Sequence, residues 1–403
     1  MVYAGPYPHV GGLSTHITLM TRGLRKLGNE VDVLSFSSFP KTFYYGLFKG
    51  PAHVLNRIWK GLGTVYLLYS SRLLFSLGVL FMTHRERYDA INAHSVAAAL
   101  AAAFACKSRG IPLVQTVHTY FALEMISIGI LKGGSRLEEI CKVNEGKAYE
   151  ESSYIIAVDN RIANHVVGHG IPPDRVVVMF NPVDVDEFHP GEHGRLLRES
   201  FGLPMDKHII LCPRRLVKKN GVVYPTLAAA HLKQRSSDFV IVYAGDGEER
   251  RHIEEERARL GLGDSVILLG SIEHSRMSEL YGEVDLVVIP SVNSFGLEEA
   301  TSISTLEAMA AGVPVIASAI GGLRDIIQDG VNGRLVKEGD ERELADAISQ
   351  LLSDRGTYDR MRASARKYVT ENFSHMSRSD FFVSLLKRRE PSIGKDPQRP
   401  AER

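Results

Sequence analysis

The chain is poor in cysteine. Its 403 residues hold three, Cys106, Cys141 and Cys212, scattered and without a CxxC pair. That spacing excludes a disulfide framework and a thiolate zinc site, and it suits a reducing compartment. An excess of charge of one sign is missing too, since 48 Lys and Arg stand against 47 Asp and Glu. With no basic tract or arm, the balance excludes a nucleic-acid binder driven by bulk charge. No His/Asp cluster has ligand spacing, so spacing offers no candidate metal site. The GxGxxG fingerprint with its acidic partner is also absent, which argues against a dinucleotide enzyme. The opening residues MVYAGPYPHVGG lack the basic and apolar regions of a signal peptide. A cytoplasmic location is the expectation.

Long hydrophobic runs are rare, with one exception. Leu62 to Met82 has the length of a membrane span but carries Arg72 at its middle, together with Ser70, Ser71, Ser76 and Gly78. Ahead of it, residues 43–59 mix aromatics with Lys49, His53 and Arg57, as an amphipathic lead-in would. The expectation is a helix packed on the first sheet. A membrane-surface or acceptor-facing helix is the alternative, which would put the protein peripherally on the inner face of the membrane.

At this length two domains are expected, and 44% apolar with 24% charged residues reads as globular. Strand and helix patterns alternate, which predicts an α/β fold of two Rossmann-like domains facing across a cleft. Strands are predicted at Met1–Ala4, Val31–Phe36, Ala90–Ala93, Leu113–Thr116, Tyr154–Val158 and Val176–Met179. A second series follows at Ile209–Cys212, Phe239–Ala244, Val266–Leu269, Leu286–Pro290, Val315–Ala317 and Gly333–Val336. One long helical region is predicted over 55–85. The boundaries expected are 1–190 for an N-terminal acceptor-binding domain and 205–375 for a C-terminal donor-binding domain. Residues 376–403 would form a C-terminal helix and a polar, Pro-containing tail. Ligands of such sheets sit at the carboxyl ends of the strands.

Several residues fall at those ends. Glu299 and Glu307 flank Thr301 and Ser302, natural N-caps of an apolar helix that stops at Gly312. The first-turn amides around Ile303 would be free to bind phosphate. Two acids beside an anion-binding turn suit a phosphorylated ligand with hydroxyls at both ends, although either acid alone could be a solvated charge. Arg214, Arg215, Lys218 and Lys219 gather after the Ile209–Cys212 strand, where a diphosphate would find cations. His118 ends the Leu113–Val117 run and would face the cleft. Gly11 and Gly12 allow close backbone approach at a helix start, and Gly245-Asp246-Gly247 makes another tight turn.

Together these residues resemble family-four retaining glycosyltransferases of the glycosyltransferase-B fold, from Pro6 to about Phe373. The likeness rests on Gly11-Gly12, His118, Asn181-Pro182-Val183-Asp184 ahead of Phe188, Arg214-Arg215-Leu216 with Gly221, and Gly245-Asp246-Gly247. Above all it rests on Glu299 and Glu307 with seven residues between them, the latter opening Glu-Ala-Met-Ala-Ala-Gly. The resemblance implies transfer of a hexose-type sugar from a nucleotide-diphosphate sugar to a glycan, lipid or small-molecule acceptor, with retained configuration and no metal. It implies Glu299 on the sugar hydroxyls, Glu307 on the ribose, and Arg215, a nearby lysine and the Thr301–Ile303 amides on the diphosphate. His118 would touch the donor sugar, and Gly11-Gly12 would admit donor phosphate or acceptor. Arg214 and Gly245 would border the donor.

The chain departs from the family pattern in three places. The lysine usual before the glycine at Gly221 is replaced by Asn220, which moves the expected phosphate role to Lys219. The first strand is short, as a start downstream of the true one would leave it. The loop Val292–Leu297 also lacks the commoner Glu-x-Phe-Gly order. A nucleotide-sugar epimerase or phosphorylase on the same fold, or a non-catalytic nucleotide-sugar binder, is the alternative function.

Overall fold

The computed structural model describes residues 1–8, 12–127, 129–191, 197–294 and 298–388. Twelve strands form two six-stranded sheets. The first holds β1 (Val2–Tyr3), β2 (Leu34–Ser35), β3 (Ile91–Ala93), β4 (Leu113–Val117), β5 (Tyr154–Ala157) and β6 (Val176–Val178), ordered β2-β1-β3-β4-β5-β6. The second holds β7 (His208–Cys212), β8 (Phe239–Ala244), β9 (Val266–Gly270), β10 (Leu286–Ile289), β11 (Val315–Ser318) and β12 (Arg334–Val336), ordered β12-β11-β10-β7-β8-β9. Every pairing within these sheets is parallel. Strands covered on both faces need apolar side chains in both directions. That is why β8 reads Phe-Val-Ile-Val-Tyr-Ala without alternation and is buried throughout.

The strand order reverses beside β1 in the first sheet and beside β7 in the second, and the carboxyl edges there face one another. Both are topological switch points, where such sheets bind ligands.

The chain crosses between the halves twice, at Val183 and at Ser374. The two crossings are bonded to each other: Val183 N donates to Phe373 O and His375 N donates to Val183 O, each at 2.9 Å. After the second crossing the His375–Arg388 helix returns to the N-terminal half. There Phe382 and Leu385 join Met20, Leu24, Val114, Ile156 and Met179 in one core.

Three expectations change. The helical region over 55–85 is two helices, Gly50–Ile58 and Leu62–Arg85, broken at Gly61. Gly61 has φ 94°, and a Cβ there would stand 2.6 Å from a Leu131 methyl, so only glycine fits the break. The strand predicted over Val31–Phe36 pairs only at Leu34–Ser35, and Phe36–Ser38 turns into a short 3₁₀ segment capped by Ser35. Helices at Phe121–Ser127 and Arg355–Phe373 are additional.

The Leu62–Arg85 helix is long and apolar enough to cross a membrane. One face packs on the alanine-rich Val96–Arg109 helix, whose small side chains let the two come close; Ser76 Oγ donates to the Ala101 carbonyl at 3.1 Å.

Candidate functional site

A cavity of about 370 Å³ lies between the halves. From the N-terminal side it is lined by Gly12, His118, Thr119, Glu124 and Asn181, and from the C-terminal side by Arg214, Lys219, Glu298–Thr301, Ile303 and Ser304. Gly12 opens the Gly12–Lys26 helix, and a Cβ on it would come within 3.3 Å of the Ile303 side chain. The Ile303 side chain therefore reaches the Gly12 backbone across the cleft. Gly11 lies outside the described residues, as do Phe295 and Gly296 of the variant loop.

The C-terminal wall is built on the Ile303–Ala310 helix. Ser302 is its N-cap, accepting from Thr305 N at 3.4 Å. Thr301 takes another role and donates to the Val158 carbonyl of the opposite half at 2.6 Å. Arg161 adds to that clasp, bonding Glu298 Oε2 at 3.1 Å and the Glu299 carbonyl at 2.7 Å. The loop carrying Glu299 is thus held by both domains.

Arg214 is the hub of this wall. Its buried guanidinium donates to Glu299 Oε2 at 2.5 Å, Asn220 Oδ1 at 2.8 Å, Ser302 Oγ at 3.1 Å and Ser291 Oγ at 3.2 Å. Burial alone would raise the Glu299 pKa. The Arg214 guanidinium outweighs it, helped by Lys219 and the Ser291 hydroxyl, and holds the carboxyl below the ordinary range.

Asn220, where a lysine was expected, closes the loop. It accepts from Arg214 and donates through Nδ2 to the Arg215 carbonyl at 2.7 Å. A lysine at this buried position would press an ammonium against the guanidinium. Here the cation comes from residue 214 and the neutral partner from residue 220.

Arg215, expected on a ligand phosphate, is exposed and does not line the cavity. Its charge and that of Lys219 are felt by Glu124, whose pKa burial raises while the two cations pull it back. Glu307 also stands outside the cavity lining. It is buried behind the helix, accepts from the Tyr281 hydroxyl at 3.2 Å, and has His274 Nδ1 4.0 Å away. Burial pushes Glu307 up to about 7, with His274 and Tyr281 opposing. Gly245 is a spacer under the hub: at φ 154°, a Cβ there would meet the Arg214 carbonyl at 2.1 Å.

The N-terminal wall brings together residues far apart in sequence. His16, His94 and His118 place their ring nitrogens within 4.8 Å of one another, a cluster that sequence spacing did not suggest. His16 Nδ1 donates to Asn181 Oδ1 at 2.8 Å, and His94 Nδ1 meets His118 Nε2 at 3.2 Å, which orients the His118 ring. Burial lowers all three pKa values, His16 to about 4, so the cluster is neutral near pH 7. Glu124 carries no sequence signal beyond its place six residues after His118. Its helix is fixed by Glu145, whose Oε1 accepts from Phe121 N at 2.8 Å.

Chemically, the cavity offers one wall with an ionised carboxylate, cations and a helix N-terminus, and another with the neutral His118 imidazole and a second acid. This suits an anionic, hydroxyl-rich ligand. Residues 10–187 match the family model for Glycosyltransferase Family 4, and residues 195–368 match that for Glycosyl transferases group 1. The D-inositol 3-phosphate glycosyltransferase of Xylanimonas cellulosilytica is 30% identical over 88% of this chain and 87% of its own. An uncharacterised glycosyltransferase of Methanocaldococcus jannaschii is 28% identical over 91% of each chain. In fold, the chain is similar to Anabaena HepE solved with UDP, at a TM-score of 0.70 and 19% identity over 96% of this chain and 99% of that one. From its sequence and its two facing parallel sheets, the chain belongs to the family-four, group 1 glycosyltransferases of the glycosyltransferase-B fold.

Proposed function

We propose that the protein is a retaining hexosyltransferase that takes its sugar from a nucleotide-diphosphate donor and passes it to a glycan, lipid-linked or small-molecule acceptor. The observation that carries this reading is the ionised Glu299, paired to Arg214 and set beside Lys219 and the Ile303 helix start, across from His118. Relatives named as D-inositol 3-phosphate glycosyltransferases and a neighbour solved with UDP-glucose support a nucleotide-sugar donor.

In this reading Glu299 binds sugar hydroxyls, and Lys219, Arg214 and the amides after Thr301 and Ser302 take the diphosphate. Arg215 at the rim joins the phosphate on closure, and Glu307 reaches the ribose. His118 contacts the sugar, Gly11-Gly12 let the donor approach, and the turn at Gly245 borders the base. The sugar C1–phosphate oxygen bond breaks as the acceptor oxygen bonds C1 on the same face. The acceptor proton passes to the departing phosphate oxygen, whose charge the cations stabilise. Nothing in this scheme needs a metal. The N-terminal half would hold the acceptor, with membrane-surface association through 43–82.

The test is incubation with a panel of nucleotide sugars and acceptors, with product configuration read by NMR. Expected are donor-dependent thermal stabilisation, transfer with retained configuration, and turnover unchanged by a chelator. Epimerised donor without an acceptor would instead establish the epimerase alternative, and donor binding without transfer the non-catalytic one.

Glu307 supplies a pH test. Its folded pKa of about 7 lies above that of an exposed carboxyl, so the folded chain keeps a proton that the unfolded chain releases. That contribution is fully present below the unfolded pKa and is lost as pH rises toward 7. Glu307→Gln is expected to stabilise the unliganded protein by up to about 3 kcal/mol near pH 8 and to change little near pH 4.5, measured by denaturant unfolding.

A further inference from the structure

The outward face of the Leu62–Arg85 helix has no role in the site described above. Its inward ridge is Leu68, Ser71, Phe75, Val79 and Thr83, all buried. The opposite ridge should be polar on a solvated helix. Instead it reads Tyr69, Leu73, Leu77 and Phe81, with Leu73 67%, Leu77 61% and Phe81 61% exposed. A helix apolar on both sides needs a second apolar neighbour.

The face does not end there. Phe104, on the adjoining Val96–Arg109 helix, is 70% exposed. Val54, Ile58 and Trp59 continue the apolar surface on the preceding helix and its end, which pack against the start of the Leu62–Arg85 helix. Eleven of the fifteen large apolar side chains exposed among the described residues lie between Phe43 and Phe104.

Charge follows the same stretch of chain. Residues 41–109 carry nine Lys and Arg against two acids, Glu86 and Asp89, in a chain whose net charge is +1. Eight of the nine are exposed, and Arg72 is half-buried on the flank of the apolar ridge, where its stem can lie along apolar surface with its head in water. None of the nine has an acidic partner in an ion pair among the described residues. Two sit over surface aromatics instead, Lys49 on Tyr45 and Arg85 on Phe81.

We propose that this face docks on an anionic lipid bilayer, lying in the headgroup region without crossing it. The inference rests on the lipid-linked acceptor within the function proposed above and names where that acceptor is met. An apolar ridge rimmed by unpaired cations complements anionic headgroups over acyl chains. A second copy of the chain would instead bring like charge against like.

The face also leads to the cavity. Leu62 and Val65 pack into the cluster of Ala122, Leu131, Leu137 and Cys141, which Phe121 and Met125 also join. Glu124, on that same Phe121–Ser127 helix, lines the cavity. An acceptor anchored in the bilayer would enter from this side.

The experiment is co-sedimentation of the full chain with vesicles of phosphatidylglycerol and phosphatidylcholine, and with phosphatidylcholine alone. Trp59 is the chain's single tryptophan, so its emission reports directly on the face. Expected are binding to the anionic vesicles that weakens with salt, and a blue shift of Trp59 emission. The variant Leu73→Glu with Leu77→Glu and Phe81→Glu should weaken that binding about tenfold or more, while nucleotide-sugar binding, read by thermal shift, is unchanged. No binding to anionic vesicles by a chain that still binds donor would overturn the docking and leave the transferase reading standing. So would a dimer in sedimentation that the same substitutions dissolve, because a second copy would then be the occupant.

Discussion

Replacing Arg214 by alanine should lower stability by about 3–5 kcal/mol and abolish sugar transfer. The guanidinium is the counter-charge for Glu299 in a site that excludes most water. Removing it strands a buried carboxylate and leaves the Asn220, Ser291 and Ser302 oxygens without their donor. The loss also has a pH signature. In the intact protein Glu299 titrates below its ordinary range, so its pairing adds stability that is present above the unfolded pKa and fades as pH falls. In Arg214→Ala that acid-side slope should flatten or reverse, because burial then acts on Glu299 with less opposition. Arg214→Lys keeps the charge but not the four-way geometry, and should recover only part of the stability. Denaturant unfolding between acid and neutral pH, with turnover on the same samples, checks each point. Unaltered stability in Arg214→Ala would sink the hub assignment.

Glu299→Gln should separate fold from chemistry. The amide keeps the shape and an acceptor for Arg214, so unfolding should shift by no more than about 1–2 kcal/mol. Transfer should nevertheless fall by about 10²–10³-fold, since the charge that orders the cations and accepts from the sugar is gone. If the role lies in the transition state, kcat and kcat/KM should fall together; a change confined to KM would reassign Glu299 to ground-state binding. Arg215→Ala is a useful contrast. Its side chain is exposed outside the cavity, so a comparable loss there would mean that the rim closes onto the donor.

Much of this was readable from the residues alone. The parallel strands stood out because burial on both faces leaves uninterrupted apolar runs, as in Leu286–Ile289 and Phe239–Ala244. Glu299, Lys219, His118, Gly12, Thr301 and Ile303, singled out from strand ends and a helix cap, do line one cavity. The Arg355–Phe373 helix hid behind its polar composition. Its buried stripe of Tyr358, Met361, Ala365, Val369 and Phe373 at helical spacing was nonetheless available.

The rest depends on proximity that spacing does not encode. Asn220 looked like a missing lysine because its partner, Arg214, stands six residues earlier and comes alongside through the 3₁₀ turn of Lys218–Asn220, which Gly221 ends. At φ 61°, with a Cβ that would strike the Pro290 carbonyl at 1.8 Å, that position admits glycine alone. His16, His94 and Asn181 converge from three separate elements, and Glu124 needs the Glu145 bond to Phe121 to face the cavity. No linear pattern announces such meetings.

The paired crossings at Val183 and Ser374 have a mechanical consequence. A single tether would let one half swivel about a point. Two strands stitched side by side through Val183, Phe373 and His375 behave like the pin of a door. Relative movement is smallest at the pin and grows with distance from it. The His375–Arg388 helix, anchored among Met20, Leu24 and Met179, fixes the second leaf to its frame. Any opening of the cleft would thereby be channelled toward one swing about that pin.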